Sequence, residues 1–396
     1  MNTHRILPGL FAILLAFSAC KEQEGMQPVN KNDQQPAKVS NVEVENLPGG
    51  ARISYTLPSS ENILYIKAVY EIREGVEQEV KSSYYNRSLI IEGFPDTEEY
   101  DVQLYTVSRG EIASEALTIQ VNPLTPPVEE VFKTLVIEPT FAGIKVDFVN
   151  EAEANVVLTI LAADSIGDMR TVDRIYTKAI AGQFATRGFA AEPRRFGIFV
   201  RDRWDNRSDT LFTELTPWPE EKLNGTSFTM INLPGDNTVQ HCCGDGISDV
   251  FDGNWNSGDA FHTKPANGIP VSFTFDLGET VSLSRMVFHH RRGNGAGAGD
   301  GAYKAGDVKK FEVYGSLEAP ASDGSWEGWT KLATFESKQI SNDVNENFQF
   351  AVVDGEGFDF PLGTPPVRYL RYRAIETWGG LTYIYIGELT FYGNPE

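Results

Sequence analysis

The sequence predicts an all-β protein in which successive β-domains occupy almost the whole chain. Three observations point there. Short runs of alternating apolar and polar residues recur, the period-two signature of strands with one buried face. Clusters of Gly, Pro, Asn and Asp punctuate them. No stretch sustains the period of an amphipathic helix, and no repeat of solenoid length is visible. The 396 residues, 41% hydrophobic and 22% charged, suffice for several cores.

Charge narrows the function classes. The formal net charge is −21, from 55 acidic and 34 basic residues. Such a chain repels phosphate-rich surfaces, and no basic run follows the first few residues, which argues against a nucleic-acid partner.

Residues 1–19 read as a signal peptide. His4 and Arg5 precede a mostly apolar run from Ile6 to Phe17, shorter than the roughly 20 residues that a membrane-spanning helix requires. The run ends Phe17-Ser18-Ala19-Cys20, which resembles the bacterial lipobox, with Phe17 where Leu is usual. The resemblance implies cleavage before Cys20 and acylation of that cysteine, so that the membrane is met through a lipid anchor only. The alternative is an ordinary signal peptide with a chance cysteine. Lys21-Glu22-Gln23-Glu24 resembles the surface-export signal of Bacteroidota lipoproteins, which implies the outer membrane, facing the cell exterior. Residues 20–38 are almost free of apolar residues and read as a lipidated, flexible tether.

Residues 39–121 carry alternating runs such as Ala51–Tyr55, Leu64–Tyr70 and Tyr100–Tyr105, as expected of a β-sandwich. Phe94-Pro95-Asp96-Thr97-Glu98-Glu99-Tyr100 resembles the turn before strand F of fibronectin type III domains. That resemblance implies a tyrosine corner, with the Tyr100 hydroxyl bonded back to the turn. Asn122–Pro127 is a Pro-rich, semi-rigid link. A second, immunoglobulin-like sandwich is expected over residues 128–216, with Asp202–Ser208 at a hairpin tip and Trp204 covering a sandwich end. The loops of these two domains hold no convergent polar cluster, so they read as spacers.

Residues 222–396 have longer loops and more Gly, Asp and aromatics. The adjacent Cys242 and Cys243 read as a vicinal bridge, as two buried thiols, or as one intermolecular bridge. In Val250–Asp259, the oxygen side chains of Asp252, Asn254 and Asn256 alternate as suits a hard cation such as Ca²⁺. It is not an EF-hand, because the glycine falls one position late and the twelfth position is Thr263. The glycine-rich stretch 293–306 lacks the Gly-Lys-Ser/Thr ending of a phosphate cradle.

The order Asp252-Gly253-Asn254, Asp276-Leu277-Gly278, Val313-Tyr314-Gly315-Ser316, Trp329, Arg368-Tyr369-Leu370-Arg371 and Glu388-Leu389-Thr390-Phe391-Tyr392-Gly393 resembles the discoidin fold, also called the factor V/VIII type C or galactose-binding-like domain. The resemblance covers roughly the last 150 residues and implies a β jelly roll. It implies a structural Ca²⁺ held by Asp252 and by Glu388 from the last strand. The other reading makes Asp252 a turn cap and Glu388 a surface residue. The resemblance also implies a carbohydrate site in loops at one end, with Trp378 as a stacking ring and His262 and Arg291 as hydrogen-bonding partners. The glycines flanking Trp378 favour an open ring face, whereas Trp329 reads as core.

The whole order looks like Bacteroidota surface lipoproteins with two immunoglobulin-like domains and a discoidin-like end. That likeness implies a glycan-binding lipoprotein that holds poly- or oligosaccharide near outer-membrane glycan importer components. The alternative is adhesion to, or assembly with, a protein partner. Neither His-Glu-x-x-His nor Gly-x-Ser-x-Gly occurs, and three β-domains leave no room for a catalytic barrel, so the expectation is a binding protein without enzymatic activity.

Overall fold

The computed structural model describes residues 34–60, 62–241, 246–256, 261–293 and 302–396. The protein is all-β. Its first sandwich packs a three-stranded sheet (Ser40–Leu47, Gly50–Thr56, Ser88–Glu92) on a four-stranded one (Val76–Ser83, Ile63–Arg73, Tyr100–Ser108, Leu117–Val121). Alternation does the work expected of it: Ala51, Ile53 and Tyr55 face the core together with Ile66, Ala68 and Tyr70. The Tyr100 hydroxyl donates to Asp96 Oδ1 at 2.8 Å, and its ring lies 4.5 Å from that of Phe94. Burial, reinforced by the Asp96 carboxylate, pushes this phenol well above its usual range. The corner therefore forms, closed through a side chain of the turn.

The Pro-rich link runs straight into a helix, Pro127–Lys133, which buries Val128 and Val131 in the second core. Sequence periodicity misses it because it is too short to show a period. Proline at its first position costs nothing there, since that N–H would be unpaired in any case.

The second sandwich repeats the three-plus-four plan. Val136–Thr140, Gly143–Val149 and Ala181–Arg187 face Met169–Thr177, Val156–Ala163, Arg194–Asp202 and Leu211–Leu215. Trp204, in the turn after Arg194–Asp202, covers an end of the preceding sandwich rather than of its own. It lies on Gly93, where a Cβ would come within 2.8 Å of the indole. Arg73 donates to the Trp204 carbonyl at 2.7 Å, Asn206 donates to the Gly93 carbonyl at 2.9 Å, and Arg203 pairs with Glu92 at 2.7 Å.

The next junction is equally bonded. Trp218 N–H donates to the Thr140 carbonyl at 2.8 Å, and Trp218 packs edge-on against Phe141. The Glu220 carboxylate is nearly buried and accepts from Ser284, from Arg285 and, at 3.3 Å, from Arg187 of the second sandwich.

The C-terminal unit is an eight-stranded sheet folded around an aromatic core that includes Phe273, Phe275, Phe288, Phe311, Tyr372 and Phe391. Its organiser is the 19-residue strand Val271–His289. The first half pairs with Val367–Thr377 and the second half with Glu388–Pro395, with register breaks between Asp276 and Val281 and between Leu283 and Arg285. A strand that changes partners across a bulge turns a corner and closes two layers over one core. Asp276, beside the first break, holds Arg368 at 2.9 Å. Trp329 is half-buried and outside the core cluster, contrary to expectation; Trp326, itself exposed, packs against Tyr314 and the Arg371 guanidinium.

Candidate functional site

The loops at one end of the C-terminal sheet converge on His262. The short strand Phe261–His262 pairs with Tyr385–Ile386, which sets His262 opposite Tyr385. His241 N–H donates to the His262 carbonyl at 2.8 Å, adding a second loop. The His262 ring centroid lies 4.9 Å from that of Tyr383, 5.7 Å from Tyr385 and 5.3 Å from His241. Arg291, entering from the end of the long strand, places its guanidinium 5.2 Å from the Tyr385 ring. Burial, with the positive charge of Arg291 next, lowers the His262 pKa to about 4. The imidazole is therefore neutral at pH 7, able to donate from one nitrogen and accept at the other. Burial, then Asp307, raises the Tyr385 phenol, whose hydroxyl donates to the Lys304 carbonyl at 2.6 Å. The cluster thus offers aromatic surface, a guanidinium donor and a neutral imidazole side by side.

Trp378 is not an open platform. It is half-buried in a satellite cluster with Tyr303, Ala351 and Val352, edge-on to Tyr303 at 5.1 Å, with Lys309 Nζ 5.7 Å from its ring centre. Gly379 is required because a Cβ would come within 2.5 Å of the Ala305 backbone, so the glycine marks close packing rather than a free ring face. The structure thus brings His262 and Arg291 together around Tyr385. Trp378 joins them only through the turn 304–307, whose Asp307 carbonyl accepts from Trp378 N–H at 2.9 Å while Gly306 accepts from Tyr385 N–H at 3.1 Å. Arg292 diverges from Arg291 and is exposed, its guanidinium 3.5 Å from the Asn256 carbonyl. Tyr383, Tyr385 and His241 are the members that sequence reasoning missed. Their signal was the alternation Tyr383-Ile384-Tyr385-Ile386, which turns both phenols to one face.

A second site lies beside the first turn of the unit. Asp252 is exposed and accepts from Asn254 N–H at 2.7 Å, while Glu388 is buried and accepts from Gly253 N–H at 3.0 Å through Oε1. Among the described residues Glu388 Oε2 is buried without a hydrogen-bond partner. Burial first, and Asp252 second, raise the Glu388 pKa to about 8. A cavity of about 230 Å³ opens here, lined by Lys222, Asn224, Thr226, Asp252, Gly253 and Glu388 among others. An orphaned carboxylate oxygen, a second carboxylate and neighbouring amide and hydroxyl oxygens fit a hard, oxygen-seeking cation. Among the described residues no group of three or more His, Cys, Asp and Glu surrounds a common point, so most ligands would be neutral oxygens. Cys20, Cys242 and Cys243 lie outside the described residues.

Residues 36–123, 124–226 and 251–393 match three families, each described as a domain of unknown function (DUF4959, DUF5126 and DUF5000 respectively). No curated protein matches. The chain is 34% identical to the solved SusE-like protein BT2857 over 68% of its own length and 100% of that chain, with a TM-score of 0.43. Far weaker likenesses run to the C-terminal domain of a chitobiase from Bacteroides fragilis, at 15% identity over 44% of this chain and 99% of that one (TM-score 0.30). Another is a GH31 CBM32-2 module bound to GalNAc, at 17% over 42% and 96% (TM-score 0.28). It is the sequence identity, sustained along the full length of the SusE-like protein, that decides the matter: this chain belongs to the SusE-like family.

Proposed function

We propose that the chain is a cell-surface glycan-binding lipoprotein, anchored through Cys20 in the outer membrane. There it presents oligo- or polysaccharide to an outer-membrane glycan importer. Membership of the SusE-like family supports a surface role of this kind. The observation that carries the reading is the cluster of His262, Arg291 and Tyr383 around Tyr385. A sugar has apolar ring faces and hydroxyl edges, and this cluster supplies a ring for the one and directed donors and acceptors for the other. Trp378 sets the neighbouring turn. The resemblance to discoidin-like, galactose-binding-like domains agrees with loops at one end of a jelly roll as the binding place. Asp252 and Glu388 would hold a structural Ca²⁺, which neutralises the buried carboxylate and ties the first turn of the unit to its last strand.

A glycan array on the soluble ectodomain, followed by calorimetry, tests this. Tyr383→Ala and His262→Ala are each expected to weaken binding by roughly tenfold or more, a loss of about 1.4 kcal/mol or beyond. Unchanged affinity in the double variant moves the site elsewhere, and failure to bind any glycan favours a protein partner instead. Anchoring is read separately, because Cys20→Ala is expected to leave the detergent phase.

A further inference from the structure

The outer face of the second sandwich departs from the acidity of the chain. In its four-stranded sheet Leu158, Ile160, Phe196, Ile198 and Val200 fill the core, so alternation turns their neighbours outward. Arg195, Phe199 and Arg201 stand on that face in one strand, Phe212 and Glu214 in the next, and Arg174 and Tyr176 at the edge. Rings and guanidinium groups meet here in pairs. The guanidinium carbon of Arg207 is 3.6 Å from the Phe199 ring centre, and that of Arg195 is 4.2 Å from Phe212. Phe212 lies across Gly197, where a Cβ would come within 2.9 Å of the ring. Tyr176 is 73% exposed beside a groove of about 610 Å³ that Arg201 and Lys178 also line.

Carboxylates at the face include Glu214, in register with Arg195, Asp205, 3.3 Å from Arg201, and Asp202, which lines the same groove. Arg174, Arg195, Arg201, Arg207 and Lys178 therefore outnumber them, in a chain where acids outnumber bases 55 to 34. The cations come from two strands and the connections that follow them, so no basic run betrays them in the sequence. A guanidinium lying over an aromatic ring is held in orientation, with its N–H edge free to fork onto a carboxylate.

We propose that this face binds an anionic polysaccharide bearing carboxylate groups, independently of the C-terminal site. The carboxylates meet the guanidinium edges, and a pyranose face lies on the exposed ring of Tyr176. A polymer with charges at regular intervals suits a flat sheet whose strands repeat every ~4.8 Å.

Polygalacturonate is the probe, with dextran as the neutral polymer, both titrated against the full ectodomain at low and high salt. Polygalacturonate is expected to bind, and to bind less tightly as salt rises. Arg195→Gln combined with Arg207→Gln should weaken it at least tenfold. Arg52→Gln, which removes a charge from the first sandwich, should not. Tyr176→Ser keeps every charge and removes the platform, so it separates stacking from plain attraction; it too should weaken binding about tenfold. All three substituted side chains are exposed, so melting should stay at the wild-type value. The proposal is overturned if the paired arginine variant binds as wild type, if Tyr176→Ser has no effect, or if polyglutamate binds as well as polygalacturonate. Loss of binding in His262→Ala alone would assign the polymer to the C-terminal loops and equally overturn it.

Discussion

His290 is wholly buried with a carboxylate at each ring nitrogen, Asp307 at 2.7 Å from Nδ1 and Glu356 at 3.1 Å from Nε2. Burial by itself would discharge the ring. Asp307, then Glu356, outweigh it and raise the pKa to about 9. The phenol of Tyr303 and the ring of Phe288 close the remaining sides. An unfolded histidine titrates near 6.5, so this group's contribution to stability is complete below about pH 6.5 and disappears as pH rises through about 9. Melting temperature is expected to fall across that window. His290→Gln should lower it at pH 6 by the equivalent of about 3 kcal/mol or more and flatten the decline above. A wild-type profile level from pH 6 to 10 would count against a charged ring. None of this was legible beforehand, because Asp307 and Glu356 reach His290 across 17 and 66 residues. Trp378 teaches the complementary lesson: its flanking glycines suggested freedom, whereas Gly379 is there because the Ala305 backbone leaves no space for a side chain.

At the scale of the element, strands were legible and their ends were not. Ala51–Tyr55 and Ile144–Val149 alternate in sequence and alternate in burial, because one face of each meets a core. The helix Pro127–Lys133 is too short to display a period. The pairing of Phe261–His262 with Tyr385–Ile386, which assembles the candidate site, spans more than a hundred residues and leaves no local mark. His262 and Arg291 were found from residue type; Tyr383 needed its partner strand. The final strand also carries a test of the cation site. At Gly387 a Cβ would lie 2.6 Å from the His289 carbonyl and 2.8 Å from that of His290, both backbone atoms unable to yield. Gly387→Ala is expected to displace Glu388 and lower melting by several degrees, with no upward shift on adding Ca²⁺. Asp252→Ala should lose only the shift. In the wild type Ca²⁺ should raise melting by mass action; equal melting in saturating Ca²⁺ and in chelator would remove the ion from this account.

At the scale of the molecule, the net charge is a sum that conceals its distribution. An acidic total argued against a nucleic-acid partner, yet alternation gathers scattered arginines onto one sheet. The two junctions are only half visible as sequence: Trp204 reads as covering a sandwich end without showing which sandwich, and Glu220 looks like an ordinary loop residue until its neighbours arrive. Trp204 on Gly93, and Glu220 between Arg187 and Arg285, tie each unit to the next by side chains as well as by chain. Trp204→Ala is expected to loosen the first junction while each core remains intact. Spin-label distances between the first and second sandwiches should broaden, with melting of the C-terminal unit unchanged. A distribution as narrow as the wild type would show the indole to be dispensable there.

The strand Glu221–Lys222, by which the chain enters the C-terminal unit, pairs with Tyr392 and Gly393 of the last strand, so way in and way out share one edge. The last strand, Glu388–Pro395, is 8 residues long, about 26 Å at ~3.3 Å per residue, and the His262 loops lie beyond its other end. A fluorophore or resin attached at Glu396 therefore sits at the root of this unit. Coupled that way, the protein turns its loops toward the solution, and a captured ligand never has to reach past the support.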